Sequence, residues 1–394
     1  MFRRILLPAQ RCGLTKVEWL VIVTCIGIMM GLLIPAVDTH PRGRRTQCAT
    51  QLVNLAQAAI MHEMSHGHFP GYLNDFGSYV GNTDPSAAAS PEANYRTGDK
   101  KLGSWVVPLL PYLDAQPTYE IWTEERYPLL MLQEGVARFA RNAAPNLAIL
   151  QCPESITLES EIGRNSYIAN TGMHHLTVSG QPIVIERMSD GGTSTHSFTI
   201  SFLDSMQVAN GVMNHQYERA MNAAEFPAGP RVTMKDFKDG QGNTVLFSES
   251  LQAIPWHQLH PDPNESVRLL QPDTPGEQVA YPERSRFTQG MVWLYEDTEG
   301  ANGAPTVPPH RRSVINSTPD KQDLFVLRMN HDNAVELARP SSAHAEGCNF
   351  GFADGSTRFI SETIDYRLYQ ALLTPRGKRS LVPEPSYVLT PESL

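Results

Sequence analysis

The chain has 394 residues and a formal net charge of −9, with 41% hydrophobic and 19% charged residues. That hydrophobic share supplies a buried core and argues against a disordered chain. The acidic balance argues against nucleic acid as a partner, because phosphate recognition needs a basic face.

The charge is unevenly spread along the chain. Residues 1–66 hold seven Lys and Arg against three Asp and Glu, so a basic start precedes an acidic body. Residues 1–13 carry Arg3, Arg4 and Arg11 and no acid, and Trp19 to Val37 is free of charge. That run nearly matches the roughly 20 residues a helix needs to cross a hydrocarbon core, and the positive flank predicts a cytoplasmic N-terminus. A secretory signal fits poorly: the apolar run is long and no small-x-small cleavage site closes it. Glu18 stands at the mouth of the run, where a carboxylate is costly and calls for a partner.

After Arg42, Arg44 and Arg45, residues Leu52, Leu55, Ala56, Ala59, Ile60 and Glu63 recur at helical spacing. The expectation is one long helix over 14–66, about 80 Å if continuous, interrupted around Pro41 and Gly43. Its first half is the membrane half and its second half is amphipathic. His62-Glu63-Met64-Ser65-His66 matches H-E-x-x-H, in which two histidines one turn apart can hold zinc. Here Gly67 stops the helix at once, Phe69 stands where the extended pattern needs glycine, and no downstream helix supplies a third ligand. The segment therefore reads as a polar helix end, and no metal ligand set is assigned.

In the body, Gly103–Asp114 reads as a short helix packing Trp105, Leu109 and Leu113, and residues 75–101 as a surface loop. Ile149–Pro153 reads as a strand end, and Asn165–Asn170 and Ser197–Phe202 as strands. Thr233–Glu249 reads as a turn running into a buried strand. Residues 253–321 read as loop insertions, and the last 15 residues or so as a loose tail. Near the end, strands Asn349–Ala353 and Ser356–Ile360 flank Asp354-Gly355, a hairpin signal. Asp236 and Asp239 are too sparse for a calcium cage. No nucleophile elbow, phosphate loop or dinucleotide motif is present.

Two resemblances follow from these residues. Gly13-Leu14-Thr15-Lys16-Val17-Glu18-Trp19-Leu20 resembles the class III signal of type IV prepilins and of pseudopilins, the subunits of type II secretion. The resemblance implies that a prepilin peptidase cuts between Gly13 and Leu14 and methylates the new N-terminus. It also implies that Glu18 neutralises a neighbouring subunit's amine in low dielectric. Pro35 falls where family members often carry a proline, and Lys16 departs from the apolar residue common at its place. His344 and Asp354-Gly355, nine residues apart, resemble the H-x9-DG hallmark of prepilin-like proteins carrying domain of unknown function 1559 (DUF1559). That resemblance extends through Cys48, His68-Phe69-Pro70, Trp105–Asp114, Cys152-Pro153, Ser166–Asn170, Asn210-Gly211-Val212 and Asp239-Gly240. Ala345, Glu346 and Cys348 depart from it. Asp354-Gly355 is expected to fix the hairpin turn and His344 to hydrogen-bond locally; neither makes an enzyme without a nucleophile.

Five cysteines are present. Cys12 lies in the leader and Cys25 in the apolar run. If the amphipathic helix packs on the body, Cys48 and Cys152 fall within disulfide reach, leaving Cys348 as the odd thiol. Three free thiols are the equal alternative.

The expected fold is α+β and pilin-like, a long N-terminal helix packed on an antiparallel sheet with long loop insertions. The expected divisions are a leader at 1–13, the helix at 14–66, a globular domain at 67–375 and a tail at 376–394. The expected function is structural: an inner-membrane, single-pass subunit with an exported body, processed by prepilin peptidase and assembling with other pilin-like subunits into a pseudopilus or type IV pilus-like fibre. The alternative is a non-polymerising membrane-anchored module that presents its loops to an exported ligand such as polysaccharide. Neither an enzyme nor a cofactor is expected.

Overall fold

Thr15 opens the first helix, α1 (Lys16–Val37). Its hydroxyl accepts from the Glu18 amide at 3.3 Å, while Glu18 Oε2 accepts from the Thr15 amide at 2.6 Å and hydroxyl at 3.0 Å. This is a reciprocal capping box, which satisfies amides that the first helical turn leaves unpaired. The chain is described from a computed structural model that covers residues 15–37, 40–81, 97–155, 160–175, 182–188, 195–217, 227–271, 284–295, 315–317 and 323–382. Gly13, Leu14 and Cys12 lie outside the described residues. Among the described residues, no helix is long and apolar enough to cross a membrane. Contacts divide the chain into two units, Met1–Thr46 and Gln47–Leu394.

Within the expected helix over 14–66, the described residues are helical at α1 and at α2 (His40–His66), and residues 38 and 39 lie outside the described residues. Pro41 and Gly43 do not interrupt α2; they fall in its first turn, where proline removes no intrahelical hydrogen bond.

In the second unit, the α2 residues Cys48, Leu52, Leu55, Ala56 and Ala59 are fully buried, so the apolar stripe legible in the sequence is the buried face. The strands are β1 (Leu73–Ser78), β2 (Lys100–Ser104), β3 (Leu130–Gln133), β4 (Val136–Phe139), β5 (Tyr167–Met173), β6 (Ile183–Met188), β7 (Thr195–Ile200), β8 (Val245–Glu249), β9 (Gly290–Trp293), β10 (Gly347–Phe352) and β11 (Thr357–Ser361). The central sheet has the order β11-β10-β8-β5-β9. Its pairs are antiparallel except β5–β9, which is parallel, so the expected antiparallel sheet is mixed at one edge. The remaining strands form three two-stranded sheets.

Strands β5, β8, β9 and β10 are buried along their whole length, because the sheet is covered on both faces. Alternation sends Tyr167 and Ala169 into one core and Ile168 into the other. The first core takes the α2 stripe together with Trp105, Leu109, Trp122 and Phe247. The second takes Met291, Trp293, Phe350, Phe352 and Tyr369. Gly351 sets the close approach of α2 to β10: a Cβ there would lie 3.2 Å from the Leu52 carbonyl oxygen. Fully burying a side chain such as Leu52 contributes about 1.5–3 kcal/mol. Nearby, α3 (Gln116–Thr123) ends against Lys101, whose buried ammonium donates to the Ile121 and Glu124 carbonyls at 2.6 Å each. Burial lowers its pKa to about 8.

Several expected elements differ. The short helix expected over 103–114 is narrower, a 3-10 helix over 107–113, where Pro108 and Pro111 remove two amide donors. Ile149–Pro153 is not a strand end; a 3-10 turn, Ala148–Leu150, leads into it. Residues 253–321 are not loop throughout. They contain a helix, Pro263–Leu270, capped by Asp262, and β9. Residues 376–382, expected as loose tail, are held in the fold: Gly377–Arg379 forms a 3-10 turn and Val382 is buried. Asp236 and Asp239 hold this segment, Asp236 through Arg376 and Asp239 through the Gly377 amide.

His257 is 2% exposed beside Phe139, and burial alone lowers its pKa to about 3. Its folded pKa lies below the ordinary 6.5, so the stability it permits is present above pH 6.5 and is lost as pH falls toward 3. Over that window the unfolded chain binds a proton that the folded chain refuses. Between pH 6.5 and 5 the loss is about 2 kcal/mol. Denaturant unfolding at pH 7 and pH 5 checks this. His257→Gln should flatten the dependence by about that amount, and an unchanged slope would refute the assignment.

Candidate functional site

The H-x9-DG motif brackets the first strand of the final hairpin, with His344 just before β10 and Asp354-Gly355 at the turn. β10 and β11 pair in register from Gly347↔Ser361 to Gly351↔Thr357. At the turn, Asp354 Oδ1 accepts from the Ser356 amide at 2.9 Å and hydroxyl at 2.6 Å, and Gly355 takes φ +81°, a conformation that suits glycine. Asp354 is thus a turn-forming residue.

His344 lies at the other end of β10 and does not meet Asp354. Its amide donates to Ser342 Oγ at 3.1 Å, a local hydrogen bond. The ring reaches across the sheet: Nε2 lies 3.1 Å from Glu249 Oε1, with both side chains buried. Glu249 ends β8. Its Oε2 accepts from the Asn349 amide at 2.8 Å and its Oε1 from Asn349 Nδ2 at 3.1 Å. A buried carboxylate is tolerated only when hydrogen-bonded or paired, and these three contacts meet that need.

Next to this pair, the structure joins Cys48 of α2 to Cys152 as a disulfide, with Cα atoms 5.3 Å apart. The Cys152 amide donates to Ser166 Oγ at 3.0 Å, which positions it. Cys152 Sγ lies 3.9 Å from His344 Nε2. One atom each from Cys48, Cys152, Glu249 and His344 lies within 4.8 Å of the other three, and all four residues are buried. The geometry is convergent rather than relayed. A Glu–His–Cys proton relay uses the two ring nitrogens for its two partners, whereas here Nε2 alone faces both the carboxylate and the sulfur.

A model of the family described as Protein of unknown function (DUF1559) matches residues 41–367. The chain belongs to the DUF1559 family. No curated protein and no solved structure matches it. In this DUF1559 chain the H-x9-DG motif therefore spans one strand, with a turn residue at one end and the buried cluster at the other.

Cys348 is a free, buried thiol whose pKa burial raises well above the ordinary value, which makes it inert. Cys25 is free and exposed. The H-E-x-x-H segment is occupied by protein contacts. Its histidine rings stack at 4.2 Å, His62 Nδ1 lies 3.0 Å from the His68 carbonyl oxygen, and Glu63 Oε1 accepts from the Met234 amide at 2.9 Å. Burial, then the neighbouring His66, lowers the His62 pKa to about 4.

Sequence reasoning missed Glu249 and Asn349. One signal was present: Val245–Glu249 reads as a buried strand, and a carboxylate closing an otherwise apolar strand implies a paired partner.

Proposed function

We propose that this DUF1559 protein is a prepilin-like structural subunit, anchored in the bacterial inner membrane with its body exported. Prepilin peptidase cuts it between Gly13 and Leu14, and the processed chain assembles with other pilin-like subunits into a pseudopilus or type IV pilus-like fibre. The observation that carries this reading is the apolar surface of α1. Val17, Trp19, Leu20, Val21, Ile22, Val23, Ile26, Ile28 and Met29 are all exposed. At about 1.5–3 kcal/mol for each large side chain covered, that surface leaves on the order of 10 kcal/mol to be gained from lipid or a neighbouring helix. The capping box supports the same reading, because it fixes Glu18 at the helix start, where cleavage would create a new amine.

Mass spectrometry of the chain isolated from its native membranes tests it. The expected N-terminus is N-methylated Leu14. An intact Met1, or cleavage after Ala36, overturns the reading. Crosslinking then separates fibre subunit from anchored binder: a polymerising subunit yields ladders that Glu18→Ala abolishes, while a binder yields processed monomer only.

A further inference from the structure

The buried cluster of Cys48, Cys152, Glu249 and His344 makes chemical sense beyond a disulfide. Two sulfurs, an imidazole nitrogen and a carboxylate oxygen are the atom types that bind zinc, and four of them complete a closed tetrahedral site. Zinc bonds of about 2.0–2.3 Å place tetrahedral ligand atoms roughly 3.3–3.8 Å apart. His344 Nε2 already lies 3.1 Å from Glu249 Oε1 and 3.9 Å from Cys152 Sγ. The four side chains come from separate parts of the fold: α2, the loop after the 3-10 turn Ala148–Leu150, the end of β8, and the loop before β10. A second layer is also in place. Both Asn349 donors orient Glu249, and Ser166 Oγ accepts from the Cys152 amide. Such outer contacts hold metal ligands in position.

We propose that, when Cys48 and Cys152 are reduced, these four side chains form a structural zinc site, so that the centre holds either a disulfide or a zinc ion. The exchange balances. A dithiol donor gives two electrons and two protons to the Cys48–Cys152 bond, becoming a disulfide itself and leaving two thiols. Zinc then displaces one proton from each thiol, and His344 binds through Nε2 as neutral imidazole with its one ring proton on Nδ1. Glu249 Oε1 takes the fourth position. The coordinating set is buried, which suits a closed structural site rather than an open catalytic one. This inference stands independently of processing at Gly13.

The test uses the full chain in detergent micelles under anaerobic conditions, oxidised or reduced with a phosphine, with Zn²⁺ or Co²⁺ as the added metal. Equilibrium dialysis should give one zinc per reduced chain and none per oxidised chain, a contrast that needs no substitution. The cobalt form should show thiolate-to-metal charge transfer and the intense visible bands of tetrahedral geometry. His344→Ala and Glu249→Gln should each weaken zinc binding at least tenfold. Asn349→Ala should weaken it about tenfold through the Glu249 orientation. Circular dichroism of each oxidised variant checks folding, and where a variant fails to fold the contrast between oxidised and reduced wild-type chain decides. A bridge that resists reduction while the chain stays folded would overturn the proposal. So would a reduced chain that takes up no zinc, or undiminished affinity in a folded His344→Ala chain.

Discussion

Replacing Cys48 and Cys152 together by alanine should lower the unfolding free energy by about 4 kcal/mol. The two residues are 104 apart in sequence, and closing a loop of about a hundred residues removes that order of chain entropy from the unfolded state. The bridge ties the buried face of α2 to a segment whose amide is already held by Ser166, so the folded state gives up little in making it. Urea unfolding of the full chain in micelles, followed through the buried Trp105, Trp122, Trp256 and Trp293, measures the loss. The wild-type chain in metal-free reductant should shift by a similar amount. A change below about 1 kcal/mol would mean that the bridge does not restrain the unfolded chain.

The second large effect is expected at His344. His344→Ala removes the imidazole from a carboxyl group that is 2% exposed, and losing one hydrogen bond to a buried charged group costs about 1.5–3 kcal/mol. The Asn349 hydrogen bonds to Glu249 remain, which places the loss toward the lower end of that range. The double variant His344→Ala/Glu249→Gln should be more stable than His344→Ala alone, because the uncompensated charge goes while an acceptor for Asn349 stays. Denaturation of both variants decides. Costs that simply add would show that the two side chains are not coupled.

Some of this was legible in the linear chain, and the reasons are local. The α2 stripe declares itself because helical period brings Leu52, Leu55, Ala56 and Ala59 to one face. The final hairpin declares itself because Asp354-Gly355 stands between two short alternating runs, and β10 and β11 form there. The end of α2 at Gly67 and the strand over Val245–Glu249 are similarly local.

Other features belonged to the tertiary structure alone. β9 is four residues, Gly-Met-Val-Trp, with no alternation; it is a strand because β5 offers it a parallel edge. The cluster at the end of β10 is the clearest case. From the sequence, a Cys48–Cys152 bridge and free thiols are equal alternatives, and His344 is expected to hydrogen-bond locally. The fold places His344 against Glu249, 95 residues away, and both beside sulfurs from α2 and the Cys152 loop. Local pattern reports which residues want burial. Which buried groups face one another is decided by sheet order and by the placement of α2 over β10, contacts between segments about a hundred or more residues apart that no short-range period encodes.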